Sequence, residues 1–456
     1  MAVIRKSFLS FSNDRFGINR ILGAALALLT SAPMFAGTYT FKIANPKENT
    51  KLEIQWRTTG ETDMVEVKDG VATISKNDFT AQYVKIYYGV RFSFIMYLEA
   101  DKDLTVNIDA QTRKLSCTGP SDEINKYLLQ TPFAVVDPNA ACKEEADYIK
   151  TSDSVYNVNL ELLKKADLPA NFKRLEKKRL LFKSYSRFPL YPSHHPFLKK
   201  LDSYKPTSLF MNKMKELTVV DAECLNFADY GYYLMDAIQC QAFQGGDSNK
   251  EFMSFVDANV NDAKVKSYIT DSYIYDIVSK KGLDGNDNLV DFYHKNVIDK
   301  KSMEKFDATC KQWEILRVGS PSPSFNAPDV NGNMVSLESL KGKYVYIDIW
   351  ATWCGPCRGE LPYMTKLEEQ YAGKDIHFVG LSCDSNKSAW EKRIQKGDIK
   401  GIQLCIGPNS DFMQKYLVKG IPRFILLDRE GRIIKANAPR PSDPNITKIF
   451  DELLKN

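Results

Sequence analysis

Beyond its first 36 residues, the 456-residue chain has no hydrophobic run long enough to cross a bilayer, so no internal membrane span is expected. Net charge is also scarce. The formal value is +5, and +3 of it sits in the first 36 residues as Arg5, Lys6, Arg15 and Arg20 against Asp14. The small remainder predicts no general attraction to nucleic acid or to an anionic membrane surface. Internal repeats and low-complexity tracts are missing, which argues against a solenoid or a disordered scaffold. There is one Cys-x-x-Cys pair and no second, so the usual ligand set of a structural zinc site is lacking. The other cysteines are Cys117, Cys142, Cys224, Cys240, Cys310, Cys383 and Cys405. Their wide, irregular spacing is unlike a small disulfide-stapled domain, and most are expected to be small buried hydrophobes. No metal or other cofactor is expected.

What is present is an ordinary globular composition, 43% hydrophobic and 26% charged, in a chain long enough for about three domains. Residues 1–36 read as a signal peptide. A basic stretch ends at Arg20, Ile21 to Phe35 is apolar or small, and Ala36-Gly37 offers a small residue for cleavage. The run is shorter than the ~20 residues of a spanning helix, so an uncleaved anchor is the weaker alternative. No cysteine near that point would take a lipid. Export to a periplasmic compartment is the expectation.

Residues 37–120 alternate with period two, as in Tyr39/Phe41/Ile43, Leu52/Ile54/Trp56 and Leu104/Val106/Ile108. Together with the turn signal Asp69-Gly70, this predicts an antiparallel β-sandwich. Residues 121–317 form a mainly helical region. There Val265, Ile269, Tyr273 and Ile277 mark one face of an amphipathic helix. Pro189, Pro192 and Pro196 around His194-His195 predict a surface turn, since adjacent histidines rarely meet one ion. Residues 318–456 alternate strand and helix. Strands are predicted at 343–350, 375–383, 424–428 and 432–435, and helices at 354–371, 388–396 and 446–454, giving an α/β fold.

The chemistry sits in Trp353-Cys354-Gly355-Pro356-Cys357-Arg358, which follows the apolar run Tyr344 to Trp350. The spacing puts two sulfurs one turn apart at the start of a helix, where free N–H groups and the dipole stabilise a thiolate. Thiolate is the form that attacks disulfides. Cys354 is therefore the expected attacking residue and Cys357 the resolving one. Pro356 suits a first helical turn because it lacks an N–H, and Gly355 leaves the sulfur open.

Residues 318–456 resemble the thioredoxin superfamily, and within it the TlpA/ResA-like exported thiol–disulfide oxidoreductases. The likeness rests on Trp350 to Arg358 with Glu360 and Pro362, on Gly420-Ile421-Pro422-Arg423-Phe424, and on Gly319 to Phe325. It implies a thioredoxin fold in which Asp348, or Glu360, moves the proton of the resolving thiol. Many relatives carry Asn at the position of Asp348. It further implies that Pro422 is a cis-proline and that Trp353, Gly355, Pro356, Ile421 and Pro422 line the surface met by a protein disulfide substrate. A membrane thiol carrier as electron donor, and apocytochrome c among the clients, follow from the same likeness. Phe94 to Asp109 and Thr118-Gly119-Pro120-Ser121 resemble a domain of unknown function that precedes such folds in some Gram-negative bacteria.

Two rival readings are kept. One is a peroxiredoxin-like thiol peroxidase with Cys383 and Cys405 as resolving residues. That family's Pro-x-x-x-Thr/Ser-x-x-Cys pattern has Ile347 and Ala351 in place of its proline and hydroxyl. The other is a binding or scaffold protein whose first 317 residues recruit a partner.

Overall fold

The alternating segments of the N-terminal third become strands with one dry face. The computed structural model describes residues 36–455 except 47–49, 57–59, 90–91, 121 and 244. Residues 1–35 of the expected signal peptide, and Ser121, lie outside the described residues. The chain forms two units. One holds residues up to Ser272 with Asn296–Ser302, and the other holds Tyr273–Lys295 with Met303 onward.

The first unit begins with eight strands: β1 Gly37–Ala44, β2 Leu52–Trp56, β3 Thr62–Val65, β4 Val71–Lys76, β5 Gln82–Tyr88, β6 Ser93–Leu98, β7 Leu104–Asp109 and β8 Leu115–Thr118. They make two four-stranded sheets ordered β4-β1-β7-β8 and β3-β2-β5-β6. Neighbours run antiparallel except β1 and β7, which run parallel. Tyr39, Phe41, Leu52, Ile54, Trp56, Ile86, Met96 and Val106 share one core between the sheets, each worth about 2 kcal/mol of burial. Asp69 and Gly70 have φ of 50° and 75° in a two-residue turn closed by Lys68 and Val71, a conformation that favours glycine. Helix Asp122–Gln130 covers the edge strand β6. Asn125 there accepts from Tyr97 N–H and donates to Tyr97 O, both at 2.8 Å.

Helices then dominate, from Glu145–Lys165 to Ser248–Asn259. Tyr83 on β5 donates to Glu176 at 2.6 Å, and Arg179 holds the same carboxylate through two bonds of 2.6 and 2.7 Å, all buried. Two expectations are corrected here. His194-His195 is not a surface turn: both lie in helix Tyr191–Lys199, and His195 is buried beside Tyr191 and Tyr204 with Nδ1 2.8 Å from Ala141 O. The proline at the second helical position lacks the N–H that would be unpaired there anyway. The stripe on helix Ala263–Lys281 also shifts. Val265 and Ile269 are fully buried, but Ile274 and Val278 take over from Tyr273 and Ile277. A four-residue step over-rotates the 3.6-residue turn by about 40°, so such a stripe leaves its face within two turns.

The second unit carries β9 Asn326–Pro328, β10 Met334–Ser336, β11 Tyr344–Trp350, β12 Ile376–Ser382, β13 Ile402–Cys405, β14 Arg423–Leu427 and β15 Ile433–Lys435. Five strands form one sheet, ordered β13-β12-β11-β14-β15, with β11, β12 and β13 parallel and the last two antiparallel. The central strand β11 is buried on both faces, which explains its unbroken apolar run. Helices Gly355–Gln370 and Asn445–Leu453 pack on one face through Met364, Leu367, Tyr371, Ile446 and Phe450 against Tyr346, Phe378 and Phe424. The fold class is therefore a β-sandwich, a helical middle region and a C-terminal α/β thioredoxin fold. Among the described residues no helix is long and apolar enough to cross a membrane, and no cluster of three ligating side chains occurs.

Candidate active site

Strand β11 ends at Trp350, and four residues later Cys354 becomes the N-cap of helix Gly355–Gln370. Its side chain takes the position a Ser or Asp commonly fills, accepting the Cys357 N–H at 3.1 Å. Pro356 sits at the second helical position, where its missing N–H goes unneeded. The two sulfurs are bonded, with Cα atoms 5.3 Å apart. Both cysteines are buried, Cys357 at 1% exposed and Cys354 at 4%. Cys354 is flanked in the chain by Trp353, 68% exposed, and by exposed Gly355 and Pro356.

Around the pair lie Trp350, Ala351, Cys383 and Trp390, with Cys405, Met413 and Ile421 packed against them. Ile421 is joined to Pro422 by a cis peptide, and Arg423 then opens β14 beside Ile349. The structure thus packs Ile421 against the cluster that contains the dithiol, more than sixty residues away in sequence.

Strand β11, which leads into the dithiol loop, also carries a buried acid. Asp348 is 5% exposed, and among the described residues its Oδ1 has no hydrogen-bond partner. Burial, and then the charges of Glu360 and Glu368, push its carboxyl well above the ordinary range. Glu360 is not an exposed first-turn acid. It is buried, accepts the Ser442 N–H and hydroxyl, both at 3.0 Å, and faces Arg440 at 3.9 Å. Glu368, partly buried two turns further along the helix, is pushed up to about 7 by desolvation. A carboxyl that stays protonated near neutral pH can take part in proton transfer to or from a nearby thiol.

Sequence reasoning missed three supporting residues. Asp384 is buried and accepts the Thr352 N–H (2.9 Å), the Thr352 hydroxyl (2.7 Å) and the Ser382 hydroxyl (2.8 Å), pinning the loop two residues before Cys354. Ser442 clamps Glu360. Arg423 is buried with no carboxylate partner among the described residues; it donates to Ala436 O and to Lys280 O at 2.8 Å and lies over Trp313. A lone acid closing an apolar strand was the available signal for Asp384. Nothing local marks the other two. Of the remaining thiols, Cys383 and Cys405 are pushed up by burial, which suppresses their thiolate forms.

Comparison with known proteins gives a consistent set of likenesses. The Redoxin family model matches residues 317–452. A thiol-disulfide oxidoreductase ResA of Bacillus cereus is 30% identical over 122 residues, 27% of this chain and 70% of that protein. ResA of Oceanobacillus iheyensis is 36% identical over 124 residues, 26% of this chain and 64% of its own. Among solved structures, a Bacteroides vulgatus protein studied in solution, and named for thiol–disulfide oxidoreduction, is 64% identical. It covers 31% of this chain and 93% of its own, with a TM-score of 0.28.

Proposed function

The chain belongs to the thioredoxin superfamily, in its TlpA/ResA-like branch of thiol–disulfide oxidoreductases, and from that premise we propose that Cys354 and Cys357 reduce disulfides of exported proteins in the periplasm. The observation that carries the reading is the placement of the bonded pair: Cys354 caps the helix start, accepts the Cys357 N–H and is flanked by exposed Trp353, Gly355 and Pro356, and Cys357 follows one turn in.

In the reduced enzyme the Cys354 thiolate attacks one sulfur of a client disulfide. A bond forms between Cys354 Sγ and that sulfur, and the client's other sulfur leaves as a thiolate and is protonated. Cys357 then attacks Cys354 Sγ, the mixed disulfide breaks, and the client departs with two thiols. Cys357 must lose its proton for this second step, and Asp348 is the group assigned to move it, with Glu360 setting the charge around it. Ile421 and Pro422 offer backbone to the bound segment, and Trp353, Gly355 and Pro356 form the remaining rim. The enzyme ends as the disulfide seen here, and a membrane thiol carrier returns the two electrons. The expected leader, with its basic stretch, apolar run and small residue for cleavage, supports the periplasmic assignment. We keep 37–120, 121–317 and 318–456 as working divisions of the mature chain.

The test is trapping. Cys357→Ser should accumulate a mixed disulfide on Cys354 that mass spectrometry identifies, while Cys354→Ser should lose at least ~10³-fold of insulin-reducing activity with dithiothreitol, as expected when the attacking thiolate is removed. Activity that survives Cys354→Ser refutes the assignment.

A further inference from the structure

The loop that leads into the cis-proline carries one of two lysines gathered at a single aromatic ring. Tyr275, on helix Ala263–Lys281, has the Lys305 Nζ 3.9 Å from its ring centre and the Lys419 Nζ 5.7 Å away. Lys305 and Lys419 are exposed, and neither pairs with a carboxylate among the described residues. Of the acids around them, Asp276 binds Lys280 at 2.6 Å, Asp307 binds His294 at 2.7 Å and Asp411 binds Lys415 at 2.7 Å, while Glu304 directly precedes Lys305. Two like charges gathered at one aromatic ring are held by its face yet repel each other, and an anion between them relieves that repulsion. Lys419 lies two residues before Ile421 and three before the cis Pro422.

We infer that Tyr275, Lys305 and Lys419 form a client-selecting surface for acidic segments, recognising an Asp or Glu close to the client's disulfide. The inference rests on the proposed reaction, because it takes the client to lie along residues 421–422. It deepens that reaction by giving the partner a charge. It also assigns a task to helix Ala263–Lys281, which lies outside the 317–452 match.

The experiment uses the full-length reduced protein and three short peptides, each closed by one internal disulfide. They differ only in the two residues beside the first cysteine: Asp-Asp, Ser-Ser or Lys-Lys. Disulfide loss is followed by alkylation and mass spectrometry at low salt and at 1 M salt. The Asp-Asp peptide should exceed Ser-Ser in kcat/KM by about three- to tenfold at low salt, the scale of a few exposed charge pairs, and the gap should close at 1 M. Lys305→Glu with Lys419→Glu should reverse the order in favour of Lys-Lys and leave the Ser-Ser rate unchanged; the milder Lys→Gln pair should merely erase the preference. Equal rates for all three peptides with wild type, or a preference that survives both variant pairs, overturns the surface. Failure of wild type to reduce even the Ser-Ser peptide overturns the reductase reading itself and this inference with it, which separates the two failures.

Discussion

Replacing Asp348 with Asn offers the sharpest check on the site, because it tests a buried proton by two independent measurements. Asp348 sits in the central strand with Oδ1 unpartnered among the described residues, and burial plus two neighbouring carboxylates raise its pKa well above the ordinary value. A raised acid binds a proton in the folded state that the unfolded chain has already released. Its stabilising effect is therefore complete below the unfolded pKa, near 4, and is lost as pH rises toward the folded value. One extra bound proton corresponds to a slope of about −1.4 kcal/mol per pH unit. Asn has the same shape and no charge, so the variant lacks that slope. Wild type and variant should be similar near pH 4 and diverge by about 1.4 kcal/mol between pH 4.5 and 5.5, the variant being the more stable. The gap grows until Asp348 ionises.

Urea unfolding of the oxidised proteins by tryptophan fluorescence reads the right unit, since four of the five tryptophans, Trp313, Trp350, Trp353 and Trp390, lie in it. A stability difference that does not change between pH 4.5 and 5.5 refutes the protonated buried acid. The second measurement is release of the trapped client. If Asp348 moves the proton of Cys357, the variant should slow this step about a hundredfold and flatten its pH profile. A normal release rate with the stability slope intact leaves Asp348 a structural acid.

Two further outcomes follow from the same neighbourhood. Glu368, raised to about 7, obeys the same sign, so Glu368→Gln should gain nothing near pH 4 and stabilise progressively up to pH 7. A full shift from 4.5 to about 7 corresponds to about 3 kcal/mol, and partial exposure reduces the expected gain to roughly 1–2 kcal/mol by urea titration at pH 8. Asp384→Ala leaves the Thr352 and Ser382 donors without their acceptor and should cost about 3 kcal/mol. The loosened loop should also lower the rate of client reduction, measured against Asp384→Asn, which keeps part of the bonding.

The readable parts of the fold were those governed by neighbours in the chain. The apolar run of β11, the cap position of Cys354 and the Asp69-Gly70 turn each follow from contacts within a few residues. The short strand β13 was not legible, because four residues carry no measurable period and its place depends on pairing with β12. The histidine pair was misread since three prolines signal a break locally, while His195 is held in place by Tyr204 and Ala141. At the site, the dithiol itself was plain. Its surroundings were not: Glu360 meets Ser442 across 82 residues, and no local pattern encodes such a meeting.

Sequence alone determined that two sulfurs stand one turn apart at a helix start, because helix geometry and capping depend on adjacent residues. Tertiary structure alone decided how deeply the dithiol is buried, that Asp348 feels the charges of two other acids, and that Lys419, three residues before the cis-proline, meets Lys305 at Tyr275. Burial and through-space charge are properties of how distant segments pack, and these set the chemistry that the motif makes available.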